Sequence, residues 1–415
     1  MAASTSLVAT CVVRYAARLH SAIGARHHVA SPLGAWLLLA LAASASSGPD
    51  REALTEVLGC DADDAARAAA DLLARPHPVV ATAAAVWTSG GSDPGPGFRR
   101  WRAGLPAQVT VGEVPGQDGL DQWAREHTFG LIDRFPIRGD GLTLVLASVL
   151  ASKVSWTVPF ELAPAASLGS ASPWAGRLSL VLRTPRQSGH TQYVAVTPDA
   201  GDVIVHVARA AGGLLVISVA AAADVPAGTV LTVAHRIGIQ HATGGPVRRR
   251  SLADLPLGEG PLWRLREVTA GSDSCVAVLP AWSATSQHEL TDPSLGFQAA
   301  RNALAPRPGS WQASQSATAR YSRTGFEAAA ATAVGIMLAM RQPSRRREAE
   351  LRFAHPYAAV AITTDPAGVG AAGKADAGSG SARPGPWHGL PVFSAWVSEP
   401  QDAADDGGSA GLPPT

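Results

Sequence analysis

The sequence predicts an α+β fold in which helices surround largely antiparallel β-sheets. Helical periodicity comes in blocks over the first hundred residues, and short alternating segments separated by Gly, Pro and Asp follow after residue 190. Because helices and strands do not alternate regularly along the chain, a parallel sheet built from βαβ units is not expected.

The positions of apolar residues, Gly and Pro place the individual elements. Helices are predicted at residues 8–23, 32–45, 50–58, 62–73 and 121–129. Strands are predicted at 79–88, within 142–156, and at 193–196, 203–207, 214–219, 229–233 and 357–364. Two stretches rich in Gly, Ala, Ser or Pro are expected to lie outside the core: residues 365–389 as a long loop and residues 401–415 as a disordered tail.

The composition argues against several classes of partner. The 415 residues include 34 basic and 33 acidic ones, so the net charge of +1 does not favour nucleic acid or an anionic membrane. The longest apolar run, residues 33–45, is shorter than the roughly 20 residues that cross a bilayer. No export signal is predicted, because the apolar run 7–13 is short and no basic residue precedes it.

Residue types that bind metals or catalyse reactions do not form a recognisable pattern. The three cysteines are widely spaced and odd in number, so we expect unpaired, buried thiols; they are Cys11, Cys60 and Cys275. Three early histidines have no carboxylate or cysteine at ligand spacing and are expected to be solvated; they are His20, His27 and His28. The sequence therefore predicts no metal site.

Two short motifs of enzymes occur in contexts that do not support them. Residues 368–374 match most of a phosphate-binding loop, and residues 407–411 match the GxSxG of a nucleophile elbow. Both motifs need a helix directly after them, and the residues that follow are rich in Gly, Ser or Pro. Neither motif therefore indicates an enzyme or a cofactor site.

The stretch 325–338 is the most informative in the chain. Four of its bulky residues, Phe326, Val334, Ile336 and Leu338, lie at even positions, as on one face of a strand, and Met337 is the exception. The polar residues 339–347 that follow are expected to form a loop that proteases can cleave. The alternative is an ordinary helix over residues 327–338, because alanine favours helices.

Together with other stretches, this segment resembles the serpin family in the family's order and spacings, over roughly residues 7–400. The stretches are 31–33 (SPL), 48–59, 123–130, 148–160 (SVLASKVSWTVPF), 327–332 (EAAAAT), 353–357 (FAHPY) and 391–400. Residues that match the family's structural motifs are Lys153, Trp156, Pro159, Phe160, His355, Pro356, Pro391 and Phe393. The alanine-rich composition with only two lysines is typical of a high-GC genome, so we expect a bacterial member.

The resemblance implies a single domain over residues 1–400 with the serpin fold: helices around a large central sheet, further β-sheets and an exposed reactive-centre loop. It implies a serine protease inhibitor that traps its target as a covalent acyl-enzyme when the cleaved loop inserts into the central sheet. The family's hinge matches Gly325, Phe326, Glu327, Ala328, Ala329, Ala330, Ala331 and Thr332. The polar cluster beneath the opening sheet, which we call the shutter cluster, matches Ser31, Ser148 and Gln315.

The family's loop length places the reactive bond between Ala339 and Met340, with alternatives after Met340 or after Arg341, before Gln342. The first bond suits an elastase- or subtilisin-like protease, the second a chymotrypsin-like one and the third a trypsin-like one. The chain is expected to act as a monomer. Relatives are mostly extracellular, but no export signal is seen in this sequence, so both an extracellular and a cytoplasmic location stay open.

Three residues depart from the inhibitory pattern. Phe326 replaces a small Thr or Ser, Ser148 replaces an asparagine, and Gln315 replaces a histidine. The departures support an alternative function as a non-inhibitory serpin-fold binding or carrier protein, or as a protease substrate.

Overall fold

The computed structural model describes residues 2–89, 95–135, 144–186, 189–268, 273–304, 312–326, 346–365 and 384–404. The helices in these ranges are α1 Ala2–Ile23, α2 Pro32–Ala43, α3 Gly48–Leu58, α4 Ala62–Ala74, α5 Pro96–Ala103, α6 Gln117–His127, α7 Ala227–Thr243 and α8 Phe297–Leu304. No helix among them is long and apolar enough to cross a membrane.

The strands of the described residues form four sheets. In chain order they are β1 His28–Ala30, β2 Val80–Thr88, β3 Val109–Glu113, β4 Leu144–Ser152, β5 Val154–Ser155, β6 Glu161–Pro164, β7 Leu180–Arg183, β8 His190–Thr197, β9 Gly201–Ala210, β10 Leu214–Ala220, β11 Gly258–Glu259, β12 Trp263–Val268, β13 Ser274–Leu279, β14 Trp282–Glu289, β15 Ser314–Tyr321, β16 Gly325–Phe326, β17 Arg346–Arg352, β18 Tyr357–Thr363 and β19 Pro391–Val397.

Sheet 1 is antiparallel throughout and has the strand order β1-β19-β18-β10-β9-β8. Both of its faces are buried, as the alternation along β9 shows. Val203, Val205 and Val207 pack with α7, whereas Ile204 packs with the main core. Sheet 1 therefore lies between α7 and the main core.

Helix α2 supplies the centre of the main core. Pro32 begins the helix, and the Ser31 hydroxyl caps it by accepting a hydrogen bond from the Gly34 amide at 3.2 Å. Every residue of α2 is buried. A helix that is apolar on all sides is stable only inside a protein, so α2 is surrounded by α1, α3, α4, β4 and β19.

Three further sheets complete the described fold. Sheet 2 has the order β11-β12-β17-β13-β7-β6, sheet 3 the order β14-β15-β16-β5, and sheet 4 the order β3-β2-β4. Helix α6 covers sheet 4 through Trp123, whose ring meets that of Trp87 edge-on with the centroids 5.1 Å apart. The predicted α+β fold is confirmed.

The structure corrects three predicted elements. Residues 229–233 lie in α7 and not in a strand, because Val230, Ala234 and Ile237 form one apolar helical face. Strand β17 begins at Arg346, so the predicted loop 339–347 is too long at its end. Helix α6 ends at His127, two residues early, and Phe129 adopts a left-handed backbone with φ 55°.

The two stretches predicted to lie outside the core are partly ordered within it. The Trp387 indole donates to the Arg75 carbonyl at 2.7 Å, so the end of the predicted loop 365–389 packs against the body of the protein. At the predicted tail, the Gln401 amide donates to Ala281 and Ala403 is buried. The tail prediction is therefore wrong for residues 401–404, and residues 366–383 and 405–415 lie outside the described part.

Candidate functional site

The candidate site is the boundary between sheets 3 and 4. Strands β4 and β5 run on from one another with only Lys153 between them, so a single stretch of chain borders both sheets. At the end of this boundary formed by β5, strand β16 lies between β5 and β15 and pairs antiparallel with each. Along the rest of β4 and β15, no ladder of the described residues joins the two strands. Two strand edges thus face the same boundary.

The turn before β16 is held by the segment that follows β5. The Trp156 indole donates to the Ser322 carbonyl at 3.0 Å, and the Trp156 amide donates to the Thr324 carbonyl at 3.0 Å. Phe160 and Arg323 exchange two further bonds: the Phe160 amide donates to the Arg323 carbonyl at 3.0 Å, and the Arg323 Nε to the Phe160 carbonyl at 3.1 Å. The matching residues Trp156 and Phe160 therefore position the predicted hinge, whereas Lys153 and Pro159 are exposed.

Phe326 is received by an apolar pocket at the start of this boundary. Its side chain is only 4% exposed, and its ring centroid lies 6.4 Å from that of Trp282 and 6.3 Å from that of Phe393. Strand β19, which begins at Pro391, supplies Phe393. The bulky residue at the first inward hinge position is therefore a core residue of this protein.

The structure brings the three predicted members of the shutter cluster close to one another. Gln315 bonds to both backbone groups of Ser31: its Oε1 accepts from the amide and its Nε2 donates to the carbonyl, each at 2.8 Å. The Ser31 hydroxyl donates to the Val392 carbonyl at 2.8 Å, and the Ser148 hydroxyl donates to the Gly34 carbonyl at 2.8 Å. Gln315 and the two serines therefore tie α2 to β15, β19 and β4.

A glycine at position 34 leaves space for this arrangement. A Cβ atom there would lie 3.0 Å from Leu150 Cδ1 and 3.2 Å from the Ser31 hydroxyl, closer than nearly all such contacts. Any larger residue at this position would therefore crowd Leu150 and the Ser31 hydroxyl.

We expect Gln315→Ala to lower the free energy of unfolding by about 2–4 kcal/mol, because it leaves the buried amide and carbonyl of Ser31 without partners. Denaturant unfolding followed by circular dichroism measures the change. The control is Gln287→Ala on the neighbouring strand β14, where the side chain is exposed; it should change stability by less than about 0.5 kcal/mol. Equal losses in the two variants would contradict a role for the Gln315 contacts.

A buried cluster of four histidines lies beside the shutter cluster and was not predicted. We call it the histidine cluster: His20 on α1, His28 on β1, His235 on α7 and His288 on β14. Neighbouring ring centroids are 5.0 to 6.0 Å apart. The expectation that His20 and His28 are solvated is wrong, since both side chains are buried, whereas His27 is half-buried.

The hydrogen bonds of this cluster fit neutral imidazoles. His28 Nδ1 donates to the Arg26 carbonyl at 2.8 Å, so its Nε2 accepts from His20 Nδ1, also at 2.8 Å. His20 Nε2 in turn accepts from the Ser394 hydroxyl at 2.7 Å. Burial lowers the pKa of His28 and of His235 to about 4 and that of His20 well below its usual value.

A separate pair of histidines, His190 and His206, lies beside the segment that holds the turn before β16. His190 Nε2 donates to the Val158 carbonyl at 2.9 Å, and its Nδ1 accepts from His206 Nε2 at 3.0 Å. The Phe160 ring packs on His190 with the centroids 4.5 Å apart. Burial lowers the pKa of His190 to about 4. These two histidines lie on paired strands, which the sequence spacing did not reveal.

Strand β17 begins directly after residues 327–345, which lie outside the described part of the chain. The Arg347 amide donates to Asp273 Oδ1 at 2.8 Å, and its guanidinium donates to the Leu252 and Ala253 carbonyls, each at 2.7 Å. His355 Nδ1 donates to the Pro356 carbonyl at 3.1 Å just before β18. The hinge residues 327–332 and the candidate bonds at Ala339, Met340, Arg341 and Gln342 lie outside the described residues.

Fold and site together define an α+β protein in which, within the described residues, strands β4 and β15 leave an unpaired boundary between sheets 3 and 4. No family model and no curated protein sequence matches the chain. Solved structures do match: human kallistatin at 15% identity (TM-score 0.63; 96% of this chain, 99% of that one) and the thermophilic serpin tengpin in its native state at 13% identity (TM-score 0.64; 95% and 94%). Thyroxine-binding globulin in complex with thyroxine matches at 12% identity (TM-score 0.60; 96% and 99%).

The chain therefore has the serpin fold, as the resemblance implied. At 12–15% identity, the likeness shows the fold alone. Within the described residues, no group of His, Cys, Asp and Glu is placed to hold a metal ion.

Proposed function

We propose that the protein is a member of the serpin family that traps serine proteases by inserting its cleaved loop between β4 and β15. The observation that carries the proposal is the pairing of β16. This short strand already lies between β5 and β15, and beyond it no ladder of the described residues joins β4 to β15.

The register of β16 extends directly into this boundary. Phe326 pairs with Val154 and with Tyr321, so each residue further along would move one position back on both neighbours. Ala330 would then lie between Leu150 and Ala317. Thr332 would reach Ser148 and Gln315, two members of the shutter cluster.

The sequence of the hinge suits this register. Side chains at even positions would share the inward face of Phe326, and Ala328, Ala330 and Thr332 are small enough to pass the strands on either side. Val334, Ile336 and Leu338 follow on the same face, each contributing about 1.5–3 kcal/mol if fully buried. Insertion of the cleaved loop is therefore expected to stabilise the protein.

The chemistry would be carried by the protease. Its serine attacks the carbonyl of the residue before the reactive bond, an acyl ester forms, and the new amino terminus departs. Strand insertion then moves the tethered protease before water hydrolyses the ester. The reactive bond is proposed between Ala339 and Met340, or alternatively after Met340 or Arg341, with elastase-, subtilisin-, chymotrypsin- or trypsin-like proteases as targets.

The test incubates the purified protein with one protease of each class and examines the products on a denaturing gel. We expect a covalent band at the summed mass, a released peptide that begins at Met340, Arg341 or Gln342, and a higher melting temperature for the cleaved protein. Cleavage in the loop with neither the band nor the rise in melting temperature would refute the proposal.

Cleavage without a covalent band or a rise in melting temperature would favour the second candidate function, a binding or carrier protein. The buried ring of Phe326 is the observation that favours it, because a hinge anchored by a large side chain could insert too slowly to hold the acyl-enzyme. Thyroxine-binding globulin shows that a serpin fold can hold a small ligand.

We expect Phe326→Ala to lower the free energy of unfolding by about 3–5 kcal/mol, because the ring fills a pocket between Trp282 and Phe393. Thermal or denaturant unfolding measures the loss. The companion variant Phe326→Thr restores the small residue of inhibitory relatives. Protease trapping by this variant, with none by the natural chain, would assign the natural protein to the second candidate.

A further inference from the structure

We propose that Cys11 and Cys60 form a reversible disulfide, a modification site that joins α1 to the junction of α3 and α4. The inference goes beyond the proposed function and does not depend on it. Although 49 positions separate the two cysteines in the sequence, the folded chain packs the residue before Cys60 directly against Cys11. Both are free thiols in this structure.

The backbone around the two cysteines explains this closeness. Helix α3 ends at Gly59, whose left-handed backbone has φ 74°, and α4 begins at Ala62. A Cβ atom on Gly59 would lie 3.7 Å from Cys11 Cα, so the end of α3 rests directly on α1 at this residue. The Cys11 thiol also donates to the Gly59 carbonyl at 3.3 Å. Cys60 therefore lies on a three-residue junction that faces Cys11.

The two thiols differ in exposure. Cys11 is fully buried, whereas Cys60 is half-buried, so a small disulfide from solution can reach Cys60 first. The hydrogen bond from Cys60 and the positive charge of Arg14 lower the pKa of Cys11, whereas the pKa of Cys60 is raised. Cys60 is thus the thiol that a disulfide from solution meets first, and Cys11 is suited to act as the resolving thiolate.

The reaction with a small-molecule disulfide balances without any other oxidant. The Cys60 thiolate attacks one sulfur of oxidised glutathione, which forms a mixed disulfide on Cys60 and releases one glutathione thiolate. The Cys11 thiolate then attacks the Cys60 sulfur and displaces the second glutathione thiolate. The protein loses two protons and two electrons, and oxidised glutathione is reduced to two molecules of glutathione.

Bond formation requires a local shift only. The two sulfurs must approach to about 2.05 Å, and the short junction between α3 and α4 is the segment that would move. The bond would close a loop of about 50 residues in the unfolded chain. For a protein of this size, we expect the melting temperature to rise by about 4 °C.

The experiment incubates the reduced full-length protein with oxidised glutathione at about pH 8, near the usual pKa of a cysteine thiol, and follows intact mass and free thiols over time. We expect the natural chain to lose two hydrogens and two titratable thiols, with a Cys11–Cys60 cross-linked peptide on digestion. Dithiothreitol should reverse the mass change and the rise in melting temperature.

Three matched serine variants separate the steps. Cys11→Ser should stop at one glutathionyl group on Cys60, and Cys60→Ser should form neither the cross-link nor that adduct. Cys275→Ser should react as the natural chain does, because Cys275 lies on β13 in sheet 2 and burial raises its pKa to about 12. A natural chain that retains its thiols, keeps glutathione on Cys60 or links Cys275 would overturn the proposal.

Discussion

Substitution of Ala330 by glutamate is expected to abolish covalent trapping of a protease, whereas the same substitution at Ala329 should preserve it. The register of β16 would place Ala330 on the inward face, between the buried residues Leu150 and Ala317. A carboxylate buried there without a partner costs several kcal/mol. Ala329 would point to the opposite face, like Glu327, where a charge meets less resistance.

The comparison is made at equal protease concentration, with a protease that cleaves the natural loop. For Ala330→Glu we expect the amount of inhibitor needed per protease molecule to rise at least about tenfold. Each roughly 1.4 kcal/mol added to the barrier slows insertion tenfold while hydrolysis of the acyl ester keeps its rate, and the buried charge costs several times that amount. The cleaved variant should also lose the gain in melting temperature. If both variants trapped the protease equally well, the loop would not insert in this register.

Acidification from pH 7 to pH 5 is expected to destabilise the protein by about 4 kcal/mol through two members of the histidine cluster alone. Burial lowers the pKa of His28 and of His235 to about 4, against about 6.5 in an unfolded chain. Between these values the unfolded state binds more protons than the folded state, so stability falls as the pH falls. Each group contributes about 2 kcal/mol of this loss at pH 5.

Hydrogen bonding in the cluster adds to the cost of protonation. A proton on His28 Nε2 would face the proton that His20 Nδ1 donates, so the His20 tautomer and the Ser394 hydroxyl would both have to reverse. The cluster connects α1, β1, α7 and β14, and no carboxylate contributes to the lowered pKa of His20 or His28. Acid should therefore loosen the region next to the shutter cluster.

The variant His235→Leu tests the assignment. Its Nδ1 bonds only to the Leu231 carbonyl of its own helix, and its buried Nε2 has no partner, so leucine removes little besides the titrating group. Denaturant unfolding of this variant between pH 7 and pH 5 should show a loss of unfolding free energy that is about 2 kcal/mol smaller than that of the natural chain. His127→Gln, at the half-buried end of α6, is the control and should keep the slope of the natural chain. An unchanged slope in His235→Leu would contradict the role of this histidine.

Much of the fold could be predicted from local pattern. The helices near residues 8–23, 32–45, 50–58 and 62–73 lie where periodicity and capping residues placed them, with shifts of a few residues at their ends. The exception is residues 229–233, where β-branched residues favour a strand by propensity but the longer apolar face over residues 230–237 decides for a helix. Packing on sheet 1 outweighs the local preference.

The candidate site was predictable only in part. Ser31, Ser148 and Gln315 were named from a resemblance, and the structure brings them together. The sequence could not show which groups these side chains bond to, and in the structure the Gln315 amide pairs with both backbone groups of Ser31. The role of the cluster in loop insertion stays a prediction.

By itself, the sequence determined the four early helices, the period-two pattern after Gly325 and the absence of a local metal or catalytic motif. Only the tertiary structure decided which distant groups meet: His20 with Ser394, Cys11 with Cys60, and Phe326 with Trp282 and Phe393. The physical reason is that periodicity records which face of an element is apolar, whereas contacts across hundreds of residues depend on how those faces pack and in which register the strands pair.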